Sequence, residues 1–336
     1  MQRKQLKRVF DLLLLLAALV VVSALSLGIG EISIPFFDIP RLFSEKGGME
    51  YGVLAYIRLP RTLLGFAVGG SLSLAGAILQ GIYRNPLVEP YTLGISGGAS
   101  LGVTFAIVSG LQLLNAFFLP LAGFIGAFAS IFLVYTLSLR RNSLNVNRML
   151  LIGVMVSFIS SSLMMFLMSI TTSDNLHGIV LWTMGSLAAS DNTMIVAMLV
   201  LSLICLAASY LFVMPLNALR MGEENARYLG FNVNVVIRIL FVVTSLLTGA
   251  CIAVAGIIGF VGLVIPHIVR LRVGSDYRIV LVSSFLSGSI FLILCDLLAR
   301  TIVAPNELPI GVITGIIGGV MFIVLLSRSG RVTSKN

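Results

Sequence analysis

Residues 75–98 read AGAILQGIYRNPLVEPYTLGISGG. An apolar run ends at Gly81, and a polar break follows with Arg84, Asn85, Pro86, Glu89 and Pro90. A glycine-rich stretch then opens the next apolar run. Proline removes a backbone donor and disfavours helix at the residue before it, so a chain embedded in a membrane turns here instead of running through. A second break, GFVGLVIPHIVRLRVG, occupies 259–274 and centres on Pro266 and His267. Asn85, Pro86, Pro90, Pro266 and His267 are the structural punctuation of the chain.

The blocks between the breaks set the class. Of 336 residues, 58% are hydrophobic and 10% charged, with a mean hydropathy of +1.08. Soluble domains carry about 25% charged residues. The apolar residues fall in continuous blocks of roughly 20, the length of a membrane-crossing helix, without the alternation of a barrel. The expectation is an all-α polytopic membrane protein, with residues 1–336 forming one transmembrane domain. The net charge of +9 does not point to nucleic acid, because the basic residues lie between apolar blocks, as topology requires. Cys205, Cys251 and Cys295 lie inside apolar blocks without metal-site spacing, and His267 beside a proline turn reads as structural, so no metal site is expected. Arg3, Lys4, Lys7 and Arg8 precede an apolar run from Leu12 to Leu27 that is long for a signal peptide and has no small-x-small cleavage site. It reads as an uncleaved first helix.

Spans are expected near 10–30, 61–82, 94–110, 117–138, 149–170, 192–213, 237–255, 256–268, 279–298 and 309–327. The eighth is short: 12 or so residues at 1.5 Å rise cover about 18 Å of a ~30 Å core. Charge decides whether it crosses. With ten crossings and both termini inside, 17 of the 22 Lys and Arg fall on the inner side. Without the eighth crossing the split is 12 against 10. Positive charge favours the cytoplasm, so ten crossings with both termini cytoplasmic is the expected topology. A half-helix is tolerated only where protein or a water-filled path covers its ends, which places 256–268 near a translocation path. A weak echo at an offset of 180 pairs Arg58 with Arg238, Gly69 with Gly249, Ala75 with Ala255, Gly76 with Gly256 and Ile78 with Ile258, in the sense of an inverted repeat.

No expected span carries Asp, Glu, Lys, Arg or His in its middle third. A proton-coupled carrier needs a titratable group there, and an intramembrane metalloenzyme needs clustered ligands. No GxxxxGK[ST] loop is present to hold ATP. Active transport by this chain therefore draws its energy from a partner. The segment Pro215–Asn234, PLNALRMGEENARYLGFNVN, is the longest inside loop. It reads either as a solvated loop or as two short helices, punctuated by Gly222 and Gly230, that dock on another protein.

Six segments in order resemble the iron-siderophore and cobalamin (FecCD-type) permease family of bacterial ABC importers. They are RLPR at 58–61, LAGAILQGIYRNPLVEPYTLGISGGA at 74–99, WTMGSL at 182–187, PLNALRMGEENARYLG at 215–230, AGIIGFVGLVIPHIVR at 255–270 and ELPIGVITGIIG at 307–318. Gly319-Val320-Met321-Phe322 departs from the family, which commonly has a proline near the start of that stretch.

The resemblance implies a type II importer permease fold in a bacterial cytoplasmic membrane. It implies a second copy of the chain, two cytoplasmic ATPase subunits that bind the ATP, and an extracytoplasmic binding protein. No cofactor and no catalytic residue are expected in this chain. The resemblance makes Leu216, Leu219, Arg220, Gly222, Glu223, Glu224, Ala226, Leu229 and Gly230 the ATPase-coupling residues. It places Arg58, Arg61 and Arg300 against acidic residues of the binding protein, and Asn145, Val146 and Asn147 at an inner gate. Ser157, Ser160, Ser161 and Ser162 beside Met164, Met165 and Met168 either pack helices closely or line a wide path. The expected cargo is a metal chelate, a ferric siderophore first, with haem, cobalamin or a metal oxyanion as alternatives. An ion-coupled secondary transporter is the reading from another class.

Overall fold

The computed structural model describes residues 2–115, 117–140, 143–144, 146–188 and 191–333. The helices are α1 (Gln2–Gly28), α2 (Ile39–Glu45), α3 (Gly48–Val53), α4 (Leu59–Ile82), α5 (Ile95–Val108), α6 (Phe118–Ser138), α7 (Val146–Ser169) and α8 (Ser173–Thr183). They continue as α9 (Asn192–Tyr210), α10 (Val213–Arg220), α11 (Glu223–Tyr228), α12 (Val233–Ala255), α13 (Val261–Val273), α14 (Tyr277–Thr301) and α15 (Ile310–Thr333). A π-helical turn over Leu54–Arg58 fuses α3 to α4. Apart from a two-residue ladder pairing Leu139 with Leu144 and Arg140 with Ser143, the described residues are helix and loop.

Among the described residues, eight helices are long and apolar enough to cross a membrane. The two remaining expected spans are the short helices α5 and α13, of 14 and 13 residues. Only the second was expected to be short. The expected block 256–268 also divides: residues 256–260 are non-helical and the helix runs from Val261 to Val273.

Helix α4 is the central pillar. It packs on α9, α12, α13 and α14, and its side chains from Val68 to Ile82 are buried throughout. Lipid tails are as apolar as leucine, so membrane helices associate through close packing at small residues. Gly76 of α4 meets the backbone of Gly262 in α13, and Gly69 meets Gly288 in α14. Gly98 of α5 meets Gly126 in α6 in the same way. A Cβ at any of these would overlap a facing carbonyl. Helices α1, α6, α7, α9 and α15 carry exposed apolar side chains, including Val20, Phe128, Phe158, Ile204 and Ile323. Those faces suit lipid or a second subunit.

The two breaks meet. After Ile82 the chain turns at Asn85, whose Oδ1 accepts from Leu87 N–H at 2.9 Å. It then folds back along α4, so that Pro90 lies on Gly262, which itself faces Leu72. Leu72 is ten residues, ~15 Å, from the Ile82 end of α4, about half of a ~30 Å core. The Tyr91 hydroxyl accepts from Ile258 N–H at 3.2 Å. Helix α5 leaves this junction towards one face, and α13 leaves it towards the other. Covered by Pro90, Tyr91 and Leu72, the start of α13 is buried in protein rather than in water, one of the two conditions for a half-helix at membrane depth.

The offset-180 echo holds for the body of α4 against α12 but not for the break. Its register would carry α12 on to residue 262, yet α12 ends at Ala255. Gly256, at φ 69°, turns the chain there, and Ala255 O accepts from Ser186 N–H at 2.9 Å. The Trp182–Leu187 motif thus closes the end of α12.

Candidate functional site

The segment 213–230 forms the two short helices α10 and α11. Gly222 and Gly230 adopt φ 118° and 86°, a region open to glycine, so both act as the expected punctuation. An amphipathic helix must bury one face, and here that face packs on the chain itself. Leu216, Leu219 and Ala226 lie in the main core cluster. Of the expected coupling residues, these three are buried against the chain itself. Arg220, Glu224, Leu229 and Gly230 are exposed, and Gly222 and Glu223 half-exposed. Met221 and Tyr228, 59% and 88% exposed, extend the surface. Beside it, Met214, Asn217, Arg220, Leu229, Phe231 and Asp276 line a groove of about 490 Å³.

The segment is tied to the rest of this face through residues 274–277. Asn217 Nδ2 donates to Asp276 Oδ1 at 3.1 Å, and Asn217 Oδ1 accepts from Tyr277 N–H at 3.1 Å. Asp276 Oδ1 also caps α14 by accepting from Arg278 N–H at 3.1 Å. Its Oδ2 pairs with Arg8 of α1 at 3.2 Å, and Arg220 donates to Ser275 O at 2.7 Å. Partial burial pushes the Asp276 carboxyl up, but Arg278 N–H, the Asn217 amide and the charges of Arg8 and Arg278 outweigh it and hold the group below the ordinary aspartate value.

At the opposite end lie the three arginines expected to meet a binding protein. Arg58, Arg61 and Arg300 are 2%, 5% and 8% exposed. Arg58 donates to Leu27 O at 2.7 Å, Gly28 O at 3.0 Å and to Ile32 O. Arg61 donates to Asp296 Oδ1 at 2.8 Å and to both Glu307 oxygens at 2.7 and 2.8 Å. Arg300 pairs with Asp296 at 3.1 Å and donates to Ser26 O at 3.1 Å. These are committed groups, not free surface charges. Arg58 and Arg300, with Glu31, Pro305 and Glu307, line a pocket of about 150 Å³. Among the described residues, Arg58 is held by backbone carbonyls rather than by a carboxylate, while Glu31 and Glu307 line the same pocket.

The other expected positions fall as follows. Asn85 and Pro86 are exposed at the turn, while Pro90 is buried at the half-helix junction. Pro266 is buried inside α13, and His267 is half-buried near Arg270. Val146, half-buried, and Asn147, exposed, open α7; Asn145 lies outside the described residues. Ser157 and Ser160 pack against Gly97 of α5, whereas Ser162 and Met165 are exposed.

Sequence reasoning missed Glu89, Asn217 and Asp276. Glu89 was set in an inner loop, but the chain carries its carboxyl back to the junction, beside Phe260 N–H. Asp276 had a readable signal, an Asp one residue ahead of the helix opening at Tyr277. Asn217 had none.

Comparison with known proteins agrees with this geometry. The profile of the FecCD transport family matches residues 17–328. The hemin transport system permease HmuU of Yersinia pestis is 38% identical over 318 residues, 94% of each chain. The vitamin B12 import system permease BtuC of Klebsiella pneumoniae is 39% identical over 332 residues, 98% of this chain and 96% of its own. A solved structure described as an inward-facing metal-chelate type ABC transporter superposes with a TM-score of 0.85 at 32% identity, covering 94% of this chain and 98% of the other. Matched over nearly its whole length in sequence and in fold, the chain belongs to the FecCD transport family.

Proposed function

We propose that the chain is the membrane-spanning permease subunit of an ATP-driven importer, carrying a metal chelate inward across a bacterial cytoplasmic membrane. The observation that carries this reading is the segment 213–230. It is anchored to the core by Leu216, Leu219 and Ala226, and it presents Met221, Glu224, Arg227, Tyr228 and Leu229 outward. A rigidly seated element with exposed aromatic, aliphatic and charged side chains suits a protein partner. Two cytoplasmic ATPase subunits are that partner, and they hold the ATP. The permease then acts mechanically and needs no cofactor of its own.

A second copy of the chain packs on the apolar faces of α7 and α15, where Phe158, Ile159, Ile316 and Val320 stand exposed. An extracytoplasmic binding protein docks over the pocket of Arg58 and Arg300, offering a carboxylate to the positive charge beneath it. Guanidinium groups favour such partners because their donors match both carboxylate oxygens. The relatives named for hemin and vitamin B12 move haem and cobalamin ahead of a ferric siderophore as cargo.

The test is expression of the chain with its candidate ATPase subunits, purification of the complex, and uptake of haem, cyanocobalamin and a ferric siderophore, each with the candidate binding protein, into vesicles. ATP-dependent uptake of one of them supports the reading. Absence of any bound ATPase, together with uptake driven by a proton gradient, overturns it.

A further inference from the structure

At the seam of residues 274–277, side chains of α10 and α1 bond to the start of α14 just where α13 ends. Ser275 O takes Arg220 of α10, Asp276 takes Asn217 of α10 and Arg8 of α1, and Tyr277 N–H is held by Asn217. The same seam is where α13 ends, with Gly274 N–H bonded to Arg270 O at 3.0 Å. At its other end, ~20 Å away by helical rise, α13 starts at the half-helix junction against Pro90 and Tyr91. Helix α13 runs without a break from Val261 to Val273, through Pro266, so it links the seam at one end to the junction at the other.

We propose that Asn217 is a positioning residue that fastens α10 to the seam and so carries movement of the 213–230 segment through α13 to the junction of the half-helices. This rests on the reading of 213–230 as the ATPase contact. Asparagine suits the task because one amide offers both a donor and an acceptor. Here the donor takes the capping carboxylate and the acceptor takes the following backbone N–H. No other side chain on α10 does both. Leu216 and Leu219 hold α10 by packing, which tolerates sliding; the two amide bonds fix its register along the seam.

Reciprocal exchange separates this role from ordinary structural support. Asn217→Asp faces a second carboxylate towards Asp276 and removes the donor. Asn217→Asp combined with Asp276→Asn restores one donor and one acceptor between the two side chains, at the loss of the Arg8 ion pair, which Arg8→Gln alone controls for. Gly259, in the non-helical link ahead of α13, has open space where a side chain would stand. A Gly259→Cys probe there, in a background with Cys205, Cys251 and Cys295 replaced, reports on the junction by its maleimide labelling rate. The whole transporter with its ATPase is compared with and without ATP and vanadate.

The expected result is a several-fold nucleotide-dependent change in labelling for the parent, its loss in Asn217→Asp with the ATPase still bound, and its return in the exchanged pair. An unchanged nucleotide response in Asn217→Asp, no response in the parent, or no return in the exchanged pair overturns the proposal. Failure of the ATPase to copurify with the parent instead overturns the reading of 213–230 on which it stands.

Discussion

Pro90 lies against Gly262, so the two breaks in the sequence meet inside the protein, between α4 and the start of α13. Proline at the end of a non-helical stretch leaves no backbone donor to satisfy there. Glycine opposite leaves room for the ring. The backbone at Pro90 and at the start of α13 is thereby covered by protein, as membrane depth requires.

Gly76→Ala is expected to destabilise the protein by about 1–3 kcal/mol, the usual cost of overpacking a core. Its Cβ would overlap the backbone of Gly262, which cannot move aside as a side chain could. Gly259→Ala, with open space around it, is the control. Thermal unfolding in detergent should show a lowered midpoint for the first and none for the second.

Asp296 holds Arg61 and Arg300 at once, at 2.8 and 3.1 Å, and is 1% exposed. Removing one partner of a buried ionic cluster costs about 3–5 kcal/mol, so Asp296→Ala should sharply reduce folded yield. Glu307 bonds the same Arg61, but its side chain is 45% exposed. Glu307→Gln should cost under about 1 kcal/mol. Yields by size-exclusion chromatography distinguish the two.

Tyr228→Ala and Leu229→Ala should leave the fold intact, because both side chains are exposed, and should weaken retention of the ATPase. Leu216→Ala should do the reverse in order of cause: about 2–5 kcal/mol of stability lost at a buried leucine, with partner binding falling only as the fold does. Copurification measured beside thermal stability separates them.

The Asp276 bonds should survive mild acid. Its folded pKa is depressed, so its stabilisation is present above the unfolded value of about 3.9 and is lost only as pH falls through the lower folded value. Arg8→Gln removes one of the charges that hold it down. That change should raise the pH at which the seam loosens, read as a higher midpoint of acid unfolding followed by circular dichroism.

Much of the fold was legible because a membrane simplifies the code. Continuous apolar blocks gave the spans, and the prolines at 86, 90 and 266 gave the breaks. The shortness of α5 was not legible, since the apolar run continues past its end through Leu111 and Leu113 while the helix begins late, at Ile95. The glycines that punctuate the two short helices were legible. Amphipathicity shows that α10 has an apolar face, but not whether that face meets its own chain or another. The partners of the three arginines within the chain were not legible either. Charge counting assigns a side of the membrane, whereas Asp296, 235 residues away from Arg61 in the chain, is what draws that arginine inside.

The most direct test of the account is reconstitution of the purified chain with its ATPase subunits in vesicles, with the binding protein and haem, cyanocobalamin or a ferric siderophore supplied on the outer side. The account predicts uptake of one chelate that requires ATP, requires the ATPase, and falls when Tyr228 and Leu229 are both replaced by alanine. Uptake that proceeds without the ATPase and follows an imposed proton gradient would contradict it.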